Sequence, residues 1–368
     1  MCLLLFVFIA ACQATPLENP LTAEGLLTAT DEEEQPPALA TAYAAATALA
    51  ATVEAPTVGV GNGRLNPLPA DTELITQNSW EIVVLETQRG EAAWEMIRLA
   101  NGNNEPAADG REYLLVKYWI KNNSTDPDKA SLGLHLTGNG LVIHYSFDAG
   151  VVEPDPQLET YLAGETESIG WVAYQVYENE GNLMLLVDDL FTYDAGPLYV
   201  ALDPGAKIEV PDALRSITPT EIGQVQRDPA PYGQLVTTAD WQVRVSEVVV
   251  GETAWEQIYA ANSFNEPPAD KVQYVLVKVW LRYIGTEEGP HYVNDDEFGL
   301  VGYEAIDEER PSLVDPDPEL TFEVYPGGEV EGWFIRQAPA DTTDLVLHFS
   351  PSQVEGDGRY LSLAVSGR

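Results

Sequence analysis

The sequence predicts an all-β protein: two tandem antiparallel β-sandwiches, each with a short helix near its N-terminal part, behind a disordered tether. Three observations lead there. One block of sequence is written twice, at residues 72–205 and 232–368. Inside each block, short runs that alternate between two faces are separated by Gly, Pro and Asn, the punctuation of strands and turns. Before the first block, large apolar residues are sparse and neither a helical nor a strand period persists. The 368 residues, 45% hydrophobic and 9% aromatic, suffice for packed cores and set the chain apart from a wholly disordered acidic protein.

The chain opens on an apolar run from Cys2 to Cys12. It is about half the ~20 residues that a membrane-spanning helix needs, and it has the size of the apolar region of a secretory signal. Its end, Ile9-Ala10-Ala11-Cys12, resembles a bacterial lipobox. That resemblance implies a signal peptide over residues 1–12, acylation of the Cys12 thiol with diacylglycerol, and a lipid anchor at the outer face of the cell membrane. The sequence departs from such signals in one respect: the first charged residue is Glu18, so no basic residue precedes the run. Cys2 and Cys12 are the only cysteines, so the rest of the chain has neither a disulfide staple nor a thiolate metal site.

Residues 13–71 are rich in Ala, Thr, Pro and Glu. Interspersed Thr and Pro oppose a lasting helix, and a flexible chain of this length spans about 40–45 Å. Gly59-Val60-Gly61-Asn62-Gly63 has the look of a phosphate-binding loop, but no strand precedes it and no helix follows. It is read as linker.

The repeat is densest from Ala93 to Trp119 and from Ala254 to Trp280, where 16 of 27 positions are identical without gaps. Trp80 answers Trp241, Val152-Glu-Pro-Asp-Pro answers Val314-Asp-Pro-Asp-Pro, and Gly170-Trp171 answers Gly332-Trp333. A Pro-containing connector, 206–231, joins the copies. The runs 113–121 and 274–282 alternate as strands. One face carries Leu114, Val116, Tyr118 and Ile120, matched by Val275, Val277, Val279 and Leu281, and belongs in a sandwich core. The other carries Tyr113, Leu115, Lys117 and Trp119, matched by Tyr274, Leu276, Lys278 and Trp280. That face is mixed and needs a cover, for which a helix at Ala93–Ala100 is expected, with Asn101 closing it. Later strands lie in Pro326–Arg336, Asp344–Pro351 and Tyr360–Ala364, each bounded by turn formers.

The pattern AWxxIxxAN, then NEPP, a YxLVKV strand and PGGxVxGW resembles a bacterial family of immunoglobulin-like lipoprotein domains of unknown function. That family is similar in fold to a secreted immunoglobulin-like antigen of mycobacteria. Copy 2 matches more fully; copy 1 has Asn103 in place of Phe264, and Gly164 between Ala163 and Glu165 in place of Pro326-Gly327. The resemblance covers both copies. It implies an immunoglobulin-like fold and an exported location, and brings no established activity.

All eight tryptophans fall at equivalent places in the two copies, as a shared packing scheme requires. If any face a ligand, Trp119 and Trp280 on the mixed face are expected to, together with Tyr113 and Tyr274. The acidic turns hold Asp155 and Asp317, and Asn294–Glu297 holds Asp295 and Asp296. Each could lend oxygens to calcium, which takes about 6–8 of them, but no dedicated calcium-loop spacing is present. The four histidines, His135, His144, His291 and His348, have no metal-site spacing and do not recur between copies. There is no GxSxG elbow and no HExxH helix, so no catalysis and no cofactor beyond calcium is expected.

The formal net charge is −41, which argues against nucleic acid and against anionic lipid surfaces as partners. Copy 1 holds 6 basic and 22 acidic residues and copy 2 holds 8 and 25. The charge therefore coats both units rather than forming an acidic tail. The function expected is display: a lipid-anchored pair of domains that binds a protein or glycan at the cell envelope, or spaces it. The alternative is a calcium- or small-ligand-binding accessory lipoprotein of a transporter or sensor.

Overall fold

A computed structural model describes residues 61–76, 79–124, 132–189, 196–301, 310–351 and 357–364. Cys12 and the stretch 13–60 lie outside them. The first copy runs β1 (Leu74–Ile75), β2 (Trp80–Arg89), α1 (Glu91–Ala100), β3 (Arg111–Asn122), β4 (Leu132–Thr137), β5 (Ile143–His144), β6 (Glu167–Tyr177), β7 (Met184–Asp189) and β8 (Leu198–Ala201). The second runs β9 (Val236–Thr237), β10 (Trp241–Val250), α2 (Glu252–Ala261), β11 (Val272–Tyr283), β12 (His291–Asn294), β13 (Phe298–Leu300), β14 (Thr321–Val324), β15 (Glu329–Pro339), β16 (Val346–Phe349) and β17 (Arg359–Ser362).

Every strand pairing between these strands is antiparallel. In copy 1 the sheet β1-β2-β3-β6 faces the sheet β5-β4-β7-β8. Between them lie Ile82, Leu114, Val116, Tyr118, Ile120, Val172 and Tyr174 against Leu136, Leu185, Val187 and Val200. Copy 2 repeats the first sheet as β9-β10-β11-β15 and opposes it with β13-β16-β17, with β12-β14 as a separate pair. Val275, Val277, Val279 and Leu281 meet Phe298, Leu347, Phe349 and Leu361 there. The face assigned to the core by alternation is the face that is buried. A bulge breaks the register at the same place in both copies, between Val84 and Glu86 and between Val245 and Glu247.

The mixed face is covered as expected. Gly90 and Gly251, with φ of 61° and 66°, turn the chain from strand straight into helix, a conformation that favours glycine. Their N–H groups bond back to Tyr113 and Tyr274. Ala93 and Ile97 then bury against Leu115 and Ala173, and Ala254 and Ile258 against Leu276 and Ile335. Lys117 and Lys278 each extend over the Trp171 and Trp333 rings, 5.4 and 5.5 Å from their centroids. A charged residue on a covered face is thereby accommodated by cation–π contact and an apolar stem.

Two segments differ from the sequence expectation. Composition extends the tether to residue 71, yet Gly61–Asp71 belongs to the folded body: Leu68 forms a parallel bridge with Val200 and joins the first core. Gly61 bonds with Asn66 and Tyr199 rather than standing in a free linker. Two leucines in a short polar run, of which only Leu68 is buried, carry no periodicity, so composition hides the packed one. The connector is packed too, with Ala206, Ile208, Leu214 and Ala230 buried.

These segments and the facing loops join the copies. Arg64, wholly buried, forms a two-point ion pair with Glu288 at 2.9 and 3.2 Å and lies 3.8 Å over the Tyr325 ring. The Tyr199 and Tyr325 hydroxyls meet at 2.9 Å, and Val142 forms an antiparallel bridge with Val324.

Candidate functional site

The repeated motif that dominates the sequence turns out to be a hydrogen-bonded clamp. The Asn104 side chain donates to the carbonyls of Ile97 and Val152, both at 2.8 Å, and accepts from Val152 N at 2.9 Å. Asn265 repeats all three bonds with Ile258 and Val314. The Tyr113 and Tyr274 hydroxyls donate to the carbonyls of Glu105 and Glu266, each at 3.0 Å. One asparagine thus ties the helix end to the acidic turn, and the tyrosine ties the strand to the intervening loop.

The four aromatic residues expected to face a ligand are placed differently from one another. Tyr113 and Tyr274 are largely buried beside the helices, Tyr113 lining a cleft of about 360 Å³ with Trp94, Arg111 and Glu112, and Trp119 is 7% exposed with its indole N–H on Glu167 at 2.9 Å. Trp280 is half-buried, with the Arg244 guanidinium 5.2 Å from its ring centre. The helices and Arg244 cover much of the face that the sequence marks as needing a cover.

The acidic candidates separate into two kinds. Asp155 and Asp317 are exposed at the turn tips. Asp295 is buried, bonded to Arg336 at 2.8 Å and to Arg310 at 2.7 Å, and Arg310 also holds Asp296. Carboxylates held by guanidinium groups already have their counter-charge, which opposes a second cation. No group of three or more His, Cys, Asp or Glu side chains suited to a metal occurs among the described residues.

Sequence reasoning missed a polar network in copy 1. His144 Nε2 lies 2.8 Å from Glu180 Oε2, and Arg111 Nη1 lies 3.2 Å from Nδ1. Arg cannot accept a hydrogen bond, so Nδ1 is the acceptor and the ring proton sits on Nε2, facing the carboxylate. Glu180 also accepts from the Gly140 and Tyr177 amides. Burial would raise its pKa, but the bonds from His144 and these amides hold it below the ordinary value. With both ring nitrogens engaged in the interior, this pair fixes a loop.

A second missed feature is a cleft in copy 2. It encloses about 490 Å³ between Asp240, Trp241, Tyr283, Thr286, Glu287, His291, Tyr292 and Pro351. Trp241 and Tyr283 pack with ring centres 5.0 Å apart, and His291 stacks on Tyr283 at 3.9 Å. Gly285 sits against the Tyr283 hydroxyl so closely that a Cβ there would fall 2.1 Å from it. The Tyr283 hydroxyl is pushed up to about 12 by burial, then by the charges of Asp240 and Glu287. His291 Nε2 is buried and has no hydrogen-bond partner among the described residues. Glu287 neighbours Glu288, so the Arg64 ion pair steadies the loop that brings it to the cleft. The available signal was divergence between copies beside the shared Trp80 and Trp241: Ser79 and Asn122 stand where copy 2 has Asp240 and Tyr283. In copy 1 that Trp is fully buried and Asn122 bonds the Leu162 carbonyl.

No helix of the described residues is long and apolar enough to cross a membrane. No family model matches the chain, and no curated protein matches it. Among solved structures it is similar to a Bacillus subtilis protein designated a lipoprotein, at 15% identity with a TM-score of 0.25. The match covers 35% of this chain and 38% of that one, so this chain spans well under half its length. It is also similar to an uncharacterised β-sandwich protein from Clostridium difficile, at 11% identity with a TM-score of 0.24, over 38% of this chain and 96% of that chain.

Proposed function

We propose that this protein is an exported, lipid-anchored binding module in which two immunoglobulin-like sandwiches are displayed at the cell envelope. It works without catalysis. The observation that carries the reading is the cleft of copy 2, an aromatic and acidic pocket in one unit of an otherwise repeated architecture. Beside the shared Trp241, residues that copy 1 lacks at the equivalent positions, Asp240 and Tyr283, line a cavity of ligand size. Acylated Cys12 would hold the chain at the membrane, residues 13–60 would give reach, and the joined sandwiches would present the cleft as one body.

The anchor has a direct test. In the native host, the mature N-terminal peptide is expected to begin at Cys12 and carry diacylglycerol by mass spectrometry. Cys12→Ser is expected to move the chain from the membrane fraction to the soluble one. An unmodified N-terminus beyond Cys12, or an unchanged distribution of the variant, would refute the anchored reading.

A further inference from the structure

We propose that the cleft of the second sandwich binds an alkylammonium group, presented by a small organic amine or by a lysine side chain. The lining decides the sign of the ligand. Asp240 and Glu287 are its ionisable carboxylates, and no Lys or Arg lines it. An anion would meet two like charges there; an ammonium meets two opposite ones.

The aromatic residues decide the shape. Trp241 and Tyr283 form the floor and are only 5% and 4% exposed. A sugar ring needs an open aromatic face of its own size to stack on. An ammonium head needs only close approach, because the attraction to the ring quadrupole acts over about 6 Å from the centroid. Tyr292 is about half exposed and stands at the cleft, where it can flank the alkyl chain. His291 stacks on Tyr283 at 3.9 Å between ring centres and backs the aromatic wall. An ammonium in the cleft is countered by both carboxylates, through N–H bonds where it carries them and through charge and the aromatic rings where it is quaternary. The volume of about 490 Å³ accommodates the head and several methylenes.

Copy 1 acts as an internal control. The positions equivalent to Asp240 and Tyr283 are Ser79 and Asn122, so the first sandwich lacks both the carboxylate and the phenol there.

The inference deepens the binding-module reading and can fail separately from it, since the purified full-length chain is tested without reference to Cys12. Calorimetric titration with choline, 1,5-diaminopentane and a lysine-containing peptide is expected to give saturable binding at one site. The neutral isostere of choline, 3,3-dimethylbutanol, is expected to bind at least about tenfold more weakly. The double variant Asp240→Asn, Glu287→Gln alters exposed side chains and should keep the melting temperature while weakening the ammonium probes about tenfold or more. Raising salt from about 0.05 to 0.5 M should weaken them several-fold through screening. Tyr283→Asn, the copy 1 residue, should lose binding. Tighter binding of the peptide identifies a lysine side chain as the source, and tighter binding of the diamine a free amine; both support the proposal. It is overturned if no ammonium probe binds, if the neutral isostere or a disaccharide such as cellobiose binds as well, or if the folded double variant binds unchanged.

Discussion

Glu153 and Asp315 stand at equivalent positions, one residue after Val152 and Val314, and accept the amide N–H of Ala173 and Ile335. Both carboxyls are pushed up by burial. Asp315 goes further, to about 7, because Asp295 and Glu319 add repulsion that Arg336 only partly offsets. An acid whose folded pKa lies above its ordinary value of 3.8 binds its proton more tightly in the folded state. Its stabilising contribution is then full below about pH 4 and is lost as pH rises toward 7. Asp315→Asn keeps an acceptor for Ile335 and removes the charge. The variant should melt higher than the parent at pH 8, and the difference should vanish near pH 4; an equal gain at both values would sink the assignment. A core substitution between the copies belongs to the same scale. Tyr174 bonds Tyr118 and the Leu134 carbonyl, whereas its equivalent Arg336 bonds Asp295 and the Phe298 carbonyl. A buried arginine persists there because every direction it points offers an acceptor.

At the level of elements, the helix–turn–strand motif owes its repetition to geometry. Asn265 is buried and serves Ile258 and Val314 at once. Asn265→Ala would leave two carbonyls and one amide without these bonds, a cost of about 2–3 kcal/mol from groups worth roughly 1 kcal/mol each. Urea unfolding should show it as a fall in midpoint, and Asn104→Ala should cost less because its bonds are partly exposed. Gly170 and Gly332 have a steric reason of the same kind. A Cβ would lie 2.1 Å from Leu158 N in copy 1 and 2.7 Å from Leu320 Cα in copy 2, where the turn segment runs beside the edge strand. The Gly-Trp pair was visible as a repeat, but its cause is this close approach, which no local pattern encodes.

Across the whole molecule, Arg64 connects three parts: the segment entering the fold, the Tyr325 ring of copy 2, and the loop of Glu287 and Glu288. Arg64→Ala removes a buried charge whose partner Glu288 is 43% exposed on its side chain and can regain water. The penalty is then below that of a fully buried pair, about 1–3 kcal/mol. Calorimetry should show the two sandwiches separating into distinct transitions, and solution scattering should show a larger radius of gyration. A single transition at an unchanged temperature would argue against Arg64 as the joint. The same variant should loosen the loop that carries Glu287. Charge also acts at this scale: near-equal acidic excess on both copies keeps exposed surfaces apart by self-repulsion.

The sequence by itself determined the all-β class, the duplication, the strand face that meets each core and the helix that covers the other. These follow from local periodicity and from identity between copies, because a strand's alternation states which side must leave water. Only the tertiary structure decided which side chains meet. Arg64 finds Glu288 across 224 residues and Tyr199 finds Tyr325 across 126. With 59 acidic and 18 basic residues, composition permits so many pairings that none is marked. The cleft shares that origin: Asp240, Tyr283 and His291 come from separate strands and loops, and no spacing announces them. Tyr113, Tyr274 and Trp119 show the converse: alternation placed them on the right face and the helix was legible as its cover, but not that the Glu105 and Glu266 carbonyls and the Glu167 carboxylate would take their polar atoms.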